Sequence, residues 1–223
     1  MANVKPFQAI RPIIGKAAAI AALPYDVYSR QEAKEAVKDN PDSFLNIDRA
    51  ETQFDDSVDT YDERVYQKAH DLLWEKINKG DFLREEKDCY YIYELTMDGR
   101  VQTGIVATAS IDDYENQIIK KHENTRADKE ADRIHHVDSC NAQTGPIFLA
   151  YRANDVIREV VIRAVNEQDR PSMILYPKTA SVTACLSSAM MPILQRSDRH
   201  LIRSERSISR TDTTEQHQLS RLV

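Results

Sequence analysis

Glycine is scarce in this chain, five in 223 residues, and none follows Gly145, although turns normally draw on it. Neither G-x-x-x-x-G-K-S/T nor G-x-G-x-x-G occurs, which excludes the usual glycine-rich loops that cradle phosphates. Long apolar runs are missing too. The longest, "AAAIAALP" at residues 17–24, is far too short to cross a bilayer. The opening "MANVKPFQAI" has no basic region followed by an apolar core, so it does not read as a secretory signal. Positive charge is not in excess: the net charge of −6 argues against general nucleic-acid binding, which needs a basic face. Cysteine is limited to Cys89, Cys140 and Cys185, an odd and widely spaced set that fits a reducing compartment. These features predict a soluble cytoplasmic protein with no membrane or nucleic-acid partner.

What is present describes a globular chain. Hydrophobic residues make up 41% and charged residues 30%, outside the range of disorder, and the length suffices for one large or two small domains. Ser29 and Glu32 form an S-x-x-E capping box, which predicts a helix from Arg30 to Asp39, stopped by Asn40-Pro41. "SFLNI" after it reads as a buried strand. Val58, Tyr61, Val65, Ala69, Leu72 and Leu73 recur at helical spacing, so a helix is expected over residues 57–78, closed by Gly80. Two β-prone runs flank Asp98-Gly99, a strong hairpin signal. A helix is predicted from His122, and "AQTGPIFLAYR" and "REVVIRAV" read as two further strands. The fold class is therefore α+β, or mixed α/β.

The stretch "IIKKHENTRADKEADR", residues 118–133, carries the chemistry. On a helix beginning near His122, the side chains of His122, Arg126, Lys129 and Arg133 fall at i, i+4, i+7 and i+11, on one face. Like charges so placed repel by about a few tenths of a kcal/mol per pair, a cost that a bound anion removes. The plain alternative is a solvated face on which Glu130 neutralises Arg126. Glu123, beside cationic groups, stays ionised and can accept a proton from a substrate hydroxyl, or it is simply a helical glutamate. His135, His136 and Cys140 lack a second pair of ligands, so no metal site is expected. Tyr90, Tyr91 and Tyr93 read as packing residues.

"RPIIGKAAAIAALPYDVYSRQEAK", "NPDSFLNI", "YYIYEL", "IKKHENTRADKEADR" and "NAQTGPIFLAY", in this order, resemble the DUF1015 family from about Arg11 to about Arg163. The family resembles the ParB/sulfiredoxin superfamily, which includes free-serine kinases. The resemblance implies a nucleotide-dependent small-molecule phosphotransferase acting on a hydroxyl-bearing metabolite such as serine, with ATP or ADP and Mg²⁺. Glu123 would be the catalytic base, and Lys120, Lys121, His122, Arg126, Lys129 and Arg133 would hold phosphate. A non-catalytic nucleotide-binding or regulatory module of ParB type is the alternative, and a structural protein with a merely solvated helix is a third reading.

Family members are about twice as long and carry a later "YIADGHHR" motif that this sequence lacks. Shifting the reading frame by one base allows "RTDTTEQHQL", residues 210–219, to encode Asp-Gly-His-His-Arg, and "SMILYPKTA", residues 172–180, to encode Tyr-Asp-Phe-Val-Ser-Glu-Asp-Gly. The expectation is a family-like region over residues 1–170 and a frameshifted, disordered tail over 171–223. A truncated chain of this kind is expected to be unstable and inactive.

Overall fold

The computed structural model describes residues 2–97, 99–121 and 124–166, together with the short stretches 173–174, 180–186 and 207–209. Strands β1 (Val4–Lys5) and β2 (Ile10–Pro12) lead into helices α1 (Ala17–Ile20), α2 (Arg30–Val37), α3 (Leu45–Asp48) and α4 (Glu63–Asn78). Then come β3 (Phe82–Arg84), β4 (Tyr90–Met97), β5 (Arg100–Val106), β6 (Thr108–Ala109), α5 (Ile111–Glu115) and β7 (Ile119–Lys120). Helix α6 (Ala127–Cys140), β8 (Leu149–Ala150) and α7 (Asp155–Asn166) follow, with β9 (Met173–Ile174), β10 (Ala180–Leu186) and β11 (Ser207–Ser209) last. Helices alternate with small, mostly antiparallel sheets, so the architecture is α+β.

The local signals explain most elements. Ser29 Oγ accepts from the Glu32 N–H at 3.3 Å while the Ser29 N–H donates to Glu32 Oε2 at 2.8 Å, so both bonds of the predicted capping box start α2. The hairpin also forms. β4 and β5 pair antiparallel from Tyr91 opposite Val106 to Met97 opposite Arg100, with Gly99 between them. Gly99 has φ +78°, the left-handed conformation such a tight turn requires. Tyr90 and Tyr91 are buried, and their hydroxyls donate to the carbonyls of Val4 and Phe7. Their role is packing.

Four expectations are corrected. "SFLNI" forms α3 rather than a strand, because the Asn46 amide reaches back to the carbonyls of Asn40, Pro41 and Ser43 and holds a turn. A short apolar run cannot by itself distinguish the two. The long helix begins at Glu63, not residue 57: the Asp59 carboxylate accepts from the Tyr61 N–H at 2.7 Å, and Asp62 caps α4 through the Arg64 N–H. "REVVIRAV" lies in α7, not a strand. Ile157, Val160 and Ala164 are buried at helical spacing, and the Asn154 carboxamide accepts from the Val156 and Ile157 N–H groups. Of "AQTGPIFLAYR", only Leu149–Ala150 is strand.

Burial divides into helical and sheet-based clusters. Ile47, Ala50, Val65, Ala69, Leu73 and Cys140 form a core between α3, α4 and α6. Tyr90 and Ile92 of β4 pack under Val160 and Ala164 of α7. Trp74 ties α4 to the end of α6 through a 3.0 Å bond from its indole N–H to the Cys140 carbonyl. Cys140 is a free buried thiol, whereas Cys89 is disulfide-bonded. No helix among the described residues is long and apolar enough to cross a membrane.

Candidate functional site

Helix α6 begins later than the sequence suggests. Arg126 is its N-cap residue, with φ −66° and ψ +134°, and Ala127 its first helical residue. The four-residue cationic stripe from His122 therefore does not run along a single helix. His122 and Glu123, the latter the expected base, lie outside the described residues. Lys120 sits in β7, and Lys121 places its ammonium 5.0 Å from the Tyr114 ring centroid. Neither lines the site described next.

Arg126, Lys129 and Arg133 nevertheless converge on one cleft. It has a volume of about 650 Å³ and is walled by the segment Tyr25–Tyr28, the end of α3 with residues 49–51, the start of α4 and the first turns of α6. Such a volume suits a small-molecule ligand. Arg126 is exposed and forms a forked pair with Asp128, Nη2 to Oδ2 at 2.7 Å and Nε to Oδ1 at 3.1 Å. Lys129 Nζ donates to the Tyr61 hydroxyl at 3.3 Å. Arg133 belongs to the buried face of α6 with His136, Val137 and Cys140. Its guanidinium lies 4.3 Å from the Tyr25 ring centroid, a cation–π contact. Arg133 Nε is buried with no hydrogen-bond partner, its nearest carboxylate oxygen being Asp132 Oδ2 at 3.5 Å, and Thr125 Oγ1 is likewise buried and unpartnered.

The opposite wall is built from "DRAE", residues 48–51, which the sequence reading left unassigned. Arg49 donates from Nη1 to the Tyr25 and Tyr28 carbonyls at 3.0 and 2.7 Å and from Nε to Glu51 Oε1 at 2.5 Å. This clamp fixes Tyr25 beneath Arg133. Asp48 closes the floor. Its carboxylate accepts from Thr144, and Oδ1 lies 3.7 Å from His136 Nε2. Burial pushes the Asp48 carboxyl up to about 6, although the Arg133 charge and the Thr144 bond oppose the shift. Burial, aided by Arg133, pushes His136 down to about 3, so it is neutral. The Tyr66 hydroxyl donates to Asp132 Oδ1 at 3.0 Å and is pushed up by burial and by that carboxylate.

The lining thus carries four cations (Arg49, Arg126, Lys129, Arg133) and four acids (Asp26, Asp48, Glu51, Asp132), a mixed surface rather than a uniformly basic one. Arg49 and Glu51 neutralise each other, while Arg133 Nε retains an unmet donor. His135 stacks edge-on against Tyr66, and His136 and Cys140 face the core, 3.8 Å apart. Burial, with the Asp48 charge, pushes the Cys140 thiol up to about 12, which leaves it unreactive. Among the described residues, no group of three or more His, Cys, Asp or Glu side chains is placed to hold a metal ion.

Sequence reasoning missed Tyr25, Asp48, Arg49, Glu51 and Tyr66. They sit in turns or at helix ends, where no periodicity marks them. A profile of DUF1015, a family described as proteins of unknown function, matches residues 4–183. The match runs past the frame break expected near Arg170. No curated protein and no solved structure matches the chain.

Proposed function

The chain belongs to the DUF1015 family, and from that premise we propose that the cleft at the start of α6 binds the phosphates of a nucleotide. In family members of this type it would serve a small-molecule phosphotransferase whose acceptor is a hydroxyl-bearing metabolite such as serine. The observation that carries this reading is the convergence of Arg126, Lys129 and the unpartnered Arg133 Nε on one cleft beside the N-terminus of a 14-residue helix. The N-cap residue, Arg126, supplies no side-chain cap, and helix N-termini favour anions through their N–H groups and dipole, although Asp128 and Glu130 already occupy this first turn. The balanced lining supports a pair of ligands, an anionic phosphate donor on the cations and a zwitterionic acceptor whose ammonium meets an acid.

In this reading Lys129 and Arg126 hold phosphate oxygens at the mouth and Arg133 holds one at the floor. Glu123, by resemblance, takes the acceptor's hydroxyl proton as its oxygen attacks the terminal phosphorus. Phosphoryl transfer rests on such positioning and charge neutralisation. Mg²⁺, bound mainly through phosphates and one or two carboxylates, does not require a protein cage of its own.

Melting curves of the full chain with and without ADP and ATP test the binding. A rise in melting temperature with nucleotide, lost in the double variant Arg126→Ala/Lys129→Ala, supports the reading, and no shift with either nucleotide contradicts it. For this chain, which lacks the "DGHHR" string, binding without serine phosphorylation is expected. In a relative that carries the string, Glu123→Gln should abolish phosphate transfer while leaving the nucleotide shift intact. Absence of transfer even in that unaltered relative would favour a nucleotide-binding regulatory module.

A further inference from the structure

Tyr25, Tyr28, Tyr61 and Tyr66 all line the cleft. Three of these rings are already engaged. Tyr25 lies under the Arg133 guanidinium, 4.3 Å from it, and packs with Tyr28 against the buried Ala33, Val37 and Leu45. Tyr66 is buried edge-on to His135, with its hydroxyl on Asp132. Tyr61 differs. It is 48% exposed, and among the described residues no other aromatic ring is placed against it. Its backbone is nevertheless fixed. The Asp59 carbonyl accepts from the Asp62 N–H at 3.1 Å, and the Asp59 carboxylate accepts from the Tyr61 N–H at 2.7 Å, so Tyr61 stands on a doubly bonded turn.

Lys129 is the nearest cation. Its Nζ lies 3.3 Å from the Tyr61 hydroxyl oxygen and 5.9 Å from the ring centroid. The second distance is almost as long as a straight line from the centroid through the oxygen would allow. The ammonium therefore sits beyond the hydroxyl, close to the ring plane, and covers neither face.

We propose that Tyr61 is the platform on which the nucleobase stacks, while Lys129 at its edge holds a phosphate oxygen of the same molecule. This deepens the phosphate-site reading and rests on it. Cations alone do not distinguish a nucleotide from any other phosphate ester. An open aromatic face beside them does, because a base laid on it buries apolar surface on both partners. Every base has such a face, so the platform selects nucleoside phosphates as a class and favours purines over pyrimidines by size. The fixed turn keeps the cost of ordering the ring low.

ADP and ribose 5-diphosphate differ only in the adenine, and their affinities for the full chain are read from the ligand-dependent rise in melting temperature. Wild type should bind ADP about tenfold more tightly than ribose 5-diphosphate. Tyr61→Phe keeps the ring and removes the hydroxyl, and should retain that preference. Tyr61→Leu removes the aromatic face and should bind both ligands alike, at the affinity wild type shows for ribose 5-diphosphate. Equal binding of the two by wild type, a preference that survives in Tyr61→Leu, or one that vanishes in Tyr61→Phe overturns the platform and leaves the phosphate site standing. So does a Tyr61→Leu variant that loses both ligands together, since the residue would then act only by positioning Lys129. No melting shift with either ligand overturns both readings.

Discussion

Asp48 and His136 lie 3.7 Å apart and respond to burial in opposite senses. The folded state holds Asp48 at about 6, above the ordinary carboxylate value. A raised value means that its contribution is fully present below about pH 4 and is lost as pH rises through 6. Ionised Asp48 therefore costs stability at neutral pH. Asp48→Asn should stabilise the protein by about 2 kcal/mol at pH 7 and by almost nothing at pH 4, read from urea unfolding at the two values. An equal gain at both pH values would show that packing, not ionisation, is responsible. His136, held at about 3, stays neutral across that window and does not confuse the comparison. A residue kept at the cost of stability on a cleft floor is what a functional site looks like. Nothing in the sequence marks Asp48, since it follows a short apolar run that reads as a strand and its burial arises from residues 85 to 96 positions away, Arg133, His136 and Thr144. The cations of α6 were legible because charges recurring at helical spacing stand out even when the helix starts late.

Elements announced by their own end signals are the ones that sequence reading recovers. The Ser29 capping box and Gly99 ahead of β5 state both where an element starts and what geometry it takes. Ser29→Ala should cost about 1 kcal/mol in urea unfolding, because the Glu32 N–H loses its partner. Gly99→Ala should cost about 1 kcal/mol as well, from the +78° φ alone, since a β-carbon there meets nothing within 4 Å. A much larger loss would mean that the space is not open. "SFLNI" and "REVVIRAV" were misread for one reason. Short apolar runs fit a strand or a buried helix face equally, and the choice fell to side-chain amides, Asn46 in α3 and Asn154 before α7, whose hydrogen bonds no periodicity reveals. The start of α4 slipped because Asp59 and Asp62 each bind a backbone N–H and hold a turn where apolar spacing alone would extend the helix.

At the scale of the molecule, a chain of net charge −6 gathers three cations of one short stretch onto a single cleft. Overall charge repels anions at long range, so binding there should be weak at low ionic strength relative to a basic protein and must come from local geometry. Helices α3, α4 and α6 form the wall through a shared apolar core, so the cleft is as rigid as that core. Trp74 sits at the joint between α4 and α6. Trp74→Phe removes the bond to the Cys140 carbonyl and should cost about 1 kcal/mol in urea unfolding, with nucleotide binding retained at the cleft's far end. The class of fold and the hairpin followed from the sequence. The opposite wall of the site did not, because it is assembled from turns brought together only by tertiary packing.

The central claim is that phosphate lodges at the start of α6. Backbone amide resonances followed by NMR during titration of the full chain with ADP test it most directly. The account predicts that shifts concentrate at Asn124–Lys129, Asp48–Glu51 and Tyr61, saturate together, and disappear in Arg126→Ala/Lys129→Ala. Saturable shifts confined to another surface, or none at millimolar ADP, would contradict it.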